Sequence, residues 1–412
     1  MTHDPFAAAL GLRRAPGLDP RPAPSSHPDL AAKIAGEIRE RGPMTFARFM
    51  ALALYDPQGG YYTAEQARPG REGDFITAPE AHPIFGWSLA RQVHQVWELL
   101  GCPDPFVLRE HGAGAGALAE AILDGLARDG SGALAALRYQ PVEIEPRRIE
   151  ALAARLAAAG HGARLDLAGA ADPAPLTGLI LGNEVLDALP VHRVRGLADG
   201  GLEELFVVEA AGASEPVPTF EALAGPASTP ALAARLAGEG ITLRPGQDAE
   251  ICLALDDWVA DRAAELGRGL LLLIDYGHPA PELYDGFKRP RGTLLAYRHH
   301  RAVDEPFAAV GRQDLTAHVD VTAVQRAAEA AGLVTAGITT QAELLASLGA
   351  GDLFAALGGD PATVPEDYLT ARSALMRMLD PAAMGKFRVM LLGRGLPPDC
   401  RLRALDFRLP GR

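Results

Sequence analysis

The stretch that most constrains this chain is a short apolar run that ends in glycines and opens into a helix. Phe106-Val107-Leu108 leads into Arg109-Glu110-His111-Gly112-Ala113-Gly114-Ala115-Gly116, and Ala117 to Leu126 follows as a predicted helix. Strand, glycine-rich turn and helix in that order form the opening unit of a nucleotide-type α/β domain. Gly112 has access to dihedrals closed to other residues, and Gly114 and Gly116 take Cβ atoms out of a ligand's path. The spacing is G-x-G-x-G, not the G-x-G-x-x-G of a dinucleotide site.

Glu110 discriminates between ligands for that loop. A pyrophosphate favours helix-terminal N–H groups with no acid beside them. An acid suits a cofactor with a positive end, and S-adenosyl-L-methionine carries an ammonium and a sulfonium. Glu110 is expected to hold the ammonium side, partly through water. Methyl transfer is therefore favoured over hydride transfer; a dinucleotide enzyme is the rival, and a bare strand-to-helix turn with a solvated Glu110 is the bland alternative.

The unit repeats downstream. Tyr139 to Ile144 is strand-like and ends near Glu143 and Glu145, with Glu143 expected to take the ribose hydroxyls. Leu176 to Leu181 is a third strand, closed by Gly182-Asn183-Glu184. Gly269 to Ile274 is wholly apolar, as suits the middle of a parallel sheet, and delivers Asp275-Tyr276-Gly277 at its end. Phe387 to Leu392 reads as the last strand. Phe85 to Leu100, Ile149 to Ala159, Ile251 to Leu266 and Val321 to Ala331 read as helices. The alternation predicts one doubly wound α/β domain.

The expected organisation is a flexible lead-in over 1–28, then a helical extension with a cofactor-side loop over 29–100. The core covers 101–395, with an insertion near 211–240 made of turns and then a helix from Ala231 to Leu236; 396–412 is a tail.

Composition removes several function classes. Fifty-two acids against 39 Lys and Arg give a formal charge of −13, which repels nucleic acid. Cys102, Cys252 and Cys400 are too few and too scattered for a disulfide framework or a zinc site. His192, His278, His299, His300 and His318 lack ligand spacing, so no metal is expected. The longest greasy segment, Leu270 to Ile274, falls far short of the roughly 20 residues of a bilayer crossing. No export signal is evident, and a cytoplasmic location is expected, with membrane contact only through a partner. Oligomeric state is left open, a homo-oligomer included.

Several stretches taken together resemble one family. They are Phe49 to Tyr62 (FMALALYDPQGGYY), Gly73 to Phe85 (GDFITAPEAHPIF), Glu110 to Leu118 (EHGAGAGAL) and Leu181 to Pro190 (LGNEVLDALP). Asp275 to Gly277 (DYG), Asp314 to Asp320 (DLTAHVD) and Met384 to Met390 (MGKFRVM) complete the set. In order and spread they resemble the MidA/NDUFAF7 family, over roughly residues 30 to 395. The resemblance implies a class I S-adenosylmethionine methyltransferase-like fold, a doubly wound sheet with a helical N-terminal extension and insertions. It implies a cofactor site at Glu110, Gly112, Gly114, Gly116 and Glu143, with Gly73 and Asp74 nearby. It also implies a protein substrate: the mitochondrial member looks like a protein arginine methyltransferase that dimethylates an arginine of a respiratory complex I subunit during assembly. Two departures stand out. His111 replaces a small or apolar residue, and Glu145 replaces a Ser, which leaves Glu143 and Glu145 both in play for the ribose.

An arginine acceptor is cationic, so acids must hold it and direct one nitrogen at the methyl. Asn183, Glu184 and Asp187 follow one strand end; at helical spacing Asn183 and Asp187 would share a face. Glu184 is the expected guanidinium binder. Asp187 is either a second binder or a helix cap, and Asn183 contacts cofactor or substrate. His318 either orients an acid and accepts a proton or is a structural histidine. Asp74 either closes a lid or fixes its own turn. Two further classes stay open: a methyltransferase with another acceptor, and a non-catalytic assembly factor that retains the fold.

Overall fold

The computed structural model describes residues 25–63, 77–211, 217–298, 301–361 and 363–409. Its front is helical: α1 (Pro28–Arg41), α2 (Phe46–Tyr55) and α3 (Ile84–Leu99). In α1, proline sits in the first turn and Leu30, Ile34 and Ile38 are buried at four-residue spacing. Thr45 caps α2 by accepting from the Arg48 amide at 3.2 Å.

The expected unit follows: β1 (Phe106–His111), α4 (Ala117–Arg128), β2 (Leu137–Val142), α5 (Pro146–Ala158) and β3 (Leu176–Asn183). The chain then leaves to build β4 (His192–Gly196), β5 (Leu202–Glu209), β6 (Phe220–Pro226), α6 (Ala231–Gly238) and β7 (Asp248–Ile251). It returns through α7 (Ala254–Glu265) to β8 (Leu266–Asp275). Short strands β9 (Gly277–His278), β10 (Leu295–Arg298), β11 (Arg301–Val303), β12 (Asp314–Thr316) and β13 (Val319–Asp320) come next. The chain closes with α8 (Val321–Ala330), β14 (Val334–Thr340), α9 (Gln341–Ser347), α10 (Ala350–Gly359), α11 (Pro365–Leu379) and β15 (Arg388–Arg394).

The main sheet has six strands in the order β14-β15-β8-β3-β1-β2. β1 runs parallel to β2 and β3, and β3 to β8; β15 is antiparallel to both neighbours. Strand order reverses between β1 and β3, and in open α/β sheets ligands bind outside the carboxyl ends at such a point. Both faces are covered. Leu270, Leu272 and Ile274 pack with residues of α3 and α4, while Leu271 and Leu273 pack with residues of α7 and α8. Each such side chain contributes about 1.5–3 kcal/mol on burial. Backbones approach closely at the centre: a Cβ on Gly178 would lie 1.9 Å from the Val107 oxygen, and one on Gly269 1.8 Å from the Gly178 oxygen.

The region around 211–240 differs from expectation. There β6 occupies residues expected as turns and joins the four-stranded antiparallel sheet β6-β5-β4-β7, while α6 covers the expected helix. Phe220 is buried but the rest of β6 is largely exposed, so its sequence carries no alternation. Ile251, expected to open a helix, ends β7; the helix begins at Ala254. Edge strand β14 also went unseen, because VTAGITT is half exposed and Val334 is 69% accessible. Leu402 and Ala404, in the expected tail, are buried in the main core, and the Ala404 amide donates to Gln92 Oε1 at 3.0 Å. Among the described residues, no helix is long and apolar enough to cross a membrane.

Candidate functional site

The carboxyl ends of β1, β2, β3 and β8 carry the candidate residues to one rim. The glycine turn after β1 follows from backbone dihedrals: Gly112, Gly114 and Gly116 have φ of 70°, 53° and 81°. A Cβ on Gly116 would press on Leu152 Cγ at 2.8 Å, so the glycine seats α4 against α5. Among the described residues, a Cβ on Gly114 would meet nothing within 4 Å.

Glu143 ties the turn to the end of β2. Its Oε2 accepts from the Gly114 amide at 2.9 Å, and its Oε1 from the Ile144 amide at 2.8 Å. Arg148 lies 3.6 Å from the same carboxylate, and its Nη2 is buried without a hydrogen-bond partner among the described residues. A carboxylate offers about four acceptor sites, so Glu143 retains capacity for ribose hydroxyls. Glu145 serves elsewhere: it caps α5 through the Arg147 amide and pairs with the Arg147 side chain at 2.8 Å. Glu110 is not in the turn but beneath it. It is 3% exposed on β1 and accepts from Tyr139 Oη at 2.6 Å. Burial pushes its carboxyl up to about 8, against the pull of that hydrogen bond.

The acceptor side forms after β3. Residues 184–187 make a bend, not the expected helical turn, so Asp187 caps no helix. Asp275 Oδ2 accepts from three successive amides, Val185 at 3.1 Å, Leu186 at 2.7 Å and Asp187 at 3.3 Å. Glu184 sits in the left-handed region at φ 53°. Its carboxylate accepts from Asn183 Nδ2 at 3.1 Å. Asn183 Oδ1 is buried and makes no hydrogen bond among the described residues. Asp314, only 2% exposed, accepts from Tyr62 Oη at 2.9 Å.

Asp275 acts on Glu184 and Asp187, and Asp314 and Glu184 act on Asp187. Burial, then Asp275, lifts Glu184 to about 8. Burial, then Asp275, Asp314 and Glu184, lifts Asp187 well above the usual carboxylate range. Burial lifts Asp275 to about 7 despite its backbone hydrogen bonds. Aromatic rings wall the cluster: Tyr55 stacks on Tyr62 at 5.6 Å and donates to the Ala188 oxygen at 2.9 Å.

His318 lies behind Tyr276, ring centroids 6.4 Å apart, and 5.4 Å from the His278 ring. Burial first, then cationic neighbours, holds its imidazole well below its ordinary value, so it is neutral there. Gly73 and Asp74 lie outside the described residues. Asp314, Tyr62 and Asp275's clasp were missed from the sequence. Asp314 and Tyr62 lie 252 positions apart, and no local spacing signals their meeting.

Among the described residues no cluster suits a metal. The residues do fit S-adenosyl-L-methionine: open space over Gly114, the Glu143 carboxylate beside it, and a buried, unpartnered Asn183 Oδ1. The sheet and its glycine rim define a class I S-adenosylmethionine-dependent methyltransferase fold. Residues 88–339 match the family described as "Putative S-adenosyl-L-methionine-dependent methyltransferase". A crystal structure from Burkholderia thailandensis, bound to S-adenosyl-homocysteine, matches with a TM-score of 0.81 and 35% identity, covering 93% of this chain and 98% of that one. The Drosophila melanogaster mitochondrial protein arginine methyltransferase NDUFAF7 homolog is 31% identical over 90% of this chain and 86% of its own length. The Mus musculus mitochondrial protein arginine methyltransferase NDUFAF7 is 30% identical over 71% of this chain and 68% of its own. The chain belongs to the MidA/NDUFAF7 family of S-adenosylmethionine-dependent methyltransferases. These relatives are named as mitochondrial, which overturns the cytoplasmic location expected from the sequence.

Proposed function

We propose that this methyltransferase acts on a cationic acceptor, the guanidinium of a protein arginine. The observation that carries this reading is the cluster of Glu184, Asp187, Asp275 and Asp314 beside the cofactor rim. Four carboxyl groups sharing one buried region repel one another unless protons or a cation intervene. A planar guanidinium presents five donors and keeps its charge, so it suits such a cluster better than a neutral acceptor does. The arginine methyltransferase names of the relatives agree with it. The family resemblance adds a finer expectation, that the arginine belongs to a respiratory complex I subunit.

When bound, S-adenosyl-L-methionine supplies an electrophilic methyl group. Glu143 holds the ribose end, and Gly112, Gly114 and Gly116 let the cofactor approach the backbone. Asn183 Oδ1 offers an acceptor to cofactor or substrate. Glu184 and Asp187 bind the guanidinium and orient one nitrogen, and most of the rate comes from that alignment. Glu184 Oε takes the proton the guanidinium loses; a value raised to about 8 in the empty site suits a base working near neutrality. The acids compose a working acceptor site, which favours an enzyme over a catalytically silent assembly factor.

The test is transfer of label from S-adenosyl-L-[methyl-³H]methionine to paired peptides that carry arginine or lysine at one position. Label on the arginine peptides, lost in Glu184→Gln, is expected. Label on lysine peptides alone, or unchanged transfer by the variant, defeats the reading.

A further inference from the structure

We propose that Tyr62 is the positioning residue for Asp314, so that the helical front gives the acceptor site an acid already oriented. This rests on the reading of the carboxyl cluster as the place that binds the acceptor.

Tyr62 reaches its place because the chain after α2 turns back on itself. Asp56-Pro57-Gln58-Gly59-Gly60 follows the helix. The Gly60 amide donates to the Asp56 oxygen at 2.9 Å, and a Cβ on Gly60 would lie 2.5 Å from the Asp56 nitrogen, so only glycine fits that turn. The Tyr61 and Tyr62 amides then donate to the Ala53 and Leu54 oxygens, both at 2.9 Å. This return lays the two rings against the last turn of α2. Tyr62 stacks on Tyr55 at 5.6 Å and meets Tyr61 edge-on at 5.1 Å. The Arg148 guanidinium, from α5, lies over the same ring at 5.8 Å from its centroid, and Arg147 donates to the Thr63 oxygen at 3.1 Å. Ring and flanking backbone are both held, so the hydroxyl is placed in one spot, as a supporting residue requires.

That spot is beside Asp314. Tyr62 Oη donates to Asp314 Oδ1 at 2.9 Å. Hydrogen bonds and one stack then close a ring around this contact. Ala317, just past β12, donates its amide to the Asp187 oxygen at 2.9 Å. The next oxygen along, that of Ala188, accepts from Tyr55 Oη at 2.9 Å. Tyr55 stacks on Tyr62, and Tyr62 leads back to Asp314 at the start of β12. Asp314 and Asp187, far apart in the chain, are thereby built into one frame. A carboxyl on a three-residue strand has two side-chain torsions to settle, and a directed donor to a charged acceptor settles both.

A cycle of variants in the full chain tests this, read by calorimetric titration with methylguanidinium chloride after saturation with S-adenosyl-L-homocysteine. Wild type should bind and Glu184→Gln should not. Tyr62→Phe keeps the ring and loses only the hydroxyl; it should bind roughly 10-fold more weakly. Asp314→Ala should bind at least as weakly, and adding Tyr62→Phe to it should weaken binding no further. 4-Aminophenylalanine at position 62 restores a donor and should recover part of the loss. Wild-type affinity in Tyr62→Phe overturns the inference, and so do losses that multiply in the double variant. If wild type ignores methylguanidinium, the acceptor reading falls and melting temperatures of the same proteins judge the positioning. The double variant should then melt no lower than Asp314→Ala alone, and additive losses overturn the inference. Should either single variant fail to fold, the 4-aminophenylalanine protein decides. An aniline donates more weakly than a phenol, so its affinity for methylguanidinium should drop below wild type, and an unchanged affinity overturns the inference.

Discussion

Glu143 Oε2 and the amide of Gly114 are joined by a 2.9 Å hydrogen bond, so the acid at the end of β2 and the apex of the glycine turn are held together. Glu143→Gln swaps a charged acceptor for a neutral one at both the turn and the ligand. Affinity for S-adenosyl-L-homocysteine, measured by calorimetry, should fall roughly 10- to 100-fold, as expected on losing one or two charge-assisted hydrogen bonds.

Asp275 is a structural clasp before it is anything else. Asp275→Ala orphans three amides that its Oδ2 satisfies. We expect a loss of about 3 kcal/mol in urea unfolding, because buried donors left unmade cost the most. Unchanged stability would show that the bend after β3 finds other partners.

Two glycines should respond in opposite ways to alanine. Gly269→Ala drives a methyl to 1.8 Å from the Gly178 oxygen, between β8 and β3, and should yield little soluble protein. Gly114→Ala meets no atom within 4 Å among the described residues, and its left-handed φ costs only about 1–2 kcal/mol. That variant should fold, with a modest drop in melting temperature, and bind S-adenosyl-L-homocysteine weakly because the methyl enters the approach path.

Stability of the ligand-free protein should fall as pH rises through neutrality. Glu110 and Glu184 at about 8 and Asp275 at about 7 bind protons more tightly folded than unfolded. Their contribution is full below the ordinary carboxylate range and is lost as pH climbs to the folded values. Glu265 and Glu343, held at about 2, act at the other end, losing their stabilisation as pH falls toward that value. Melting temperatures followed by circular dichroism should therefore decline from about pH 5 to about pH 8. Glu110→Gln should flatten the slope.

The main sheet was legible because its signals are local. An apolar strand, a glycine turn and a helix lie within about twenty residues of one another around Gly112, and Leu270 to Ile274 announces a strand buried on both faces. The positions of Glu143 and Glu184 were legible for the same reason, each following the end of a readable strand. What escaped depends on distance or exposure. Strand β6 lacks alternation because most of it faces solvent, and β14 is a half-exposed edge. Asp314 joins the acids only because β12 folds against the helical front, where Tyr62 meets it. Glu110 was assigned to the cofactor's ammonium, yet its carboxyl is engaged by Tyr139; which strand neighbour supplies a hydroxyl is invisible until β1 and β2 are in register.

The acid cluster also makes this site a proton exchanger. A cation entering among Glu184, Asp187 and Asp275 drives their carboxyls toward the ionised form, and the displaced protons pass to the buffer. The heat of binding a guanidinium should then depend on the buffer's own ionisation enthalpy, and the slope of that dependence counts the protons expelled. Apparent affinity should rise with pH through neutrality. Acceptor capture would thereby be tuned to the alkalinity of whichever compartment houses the protein.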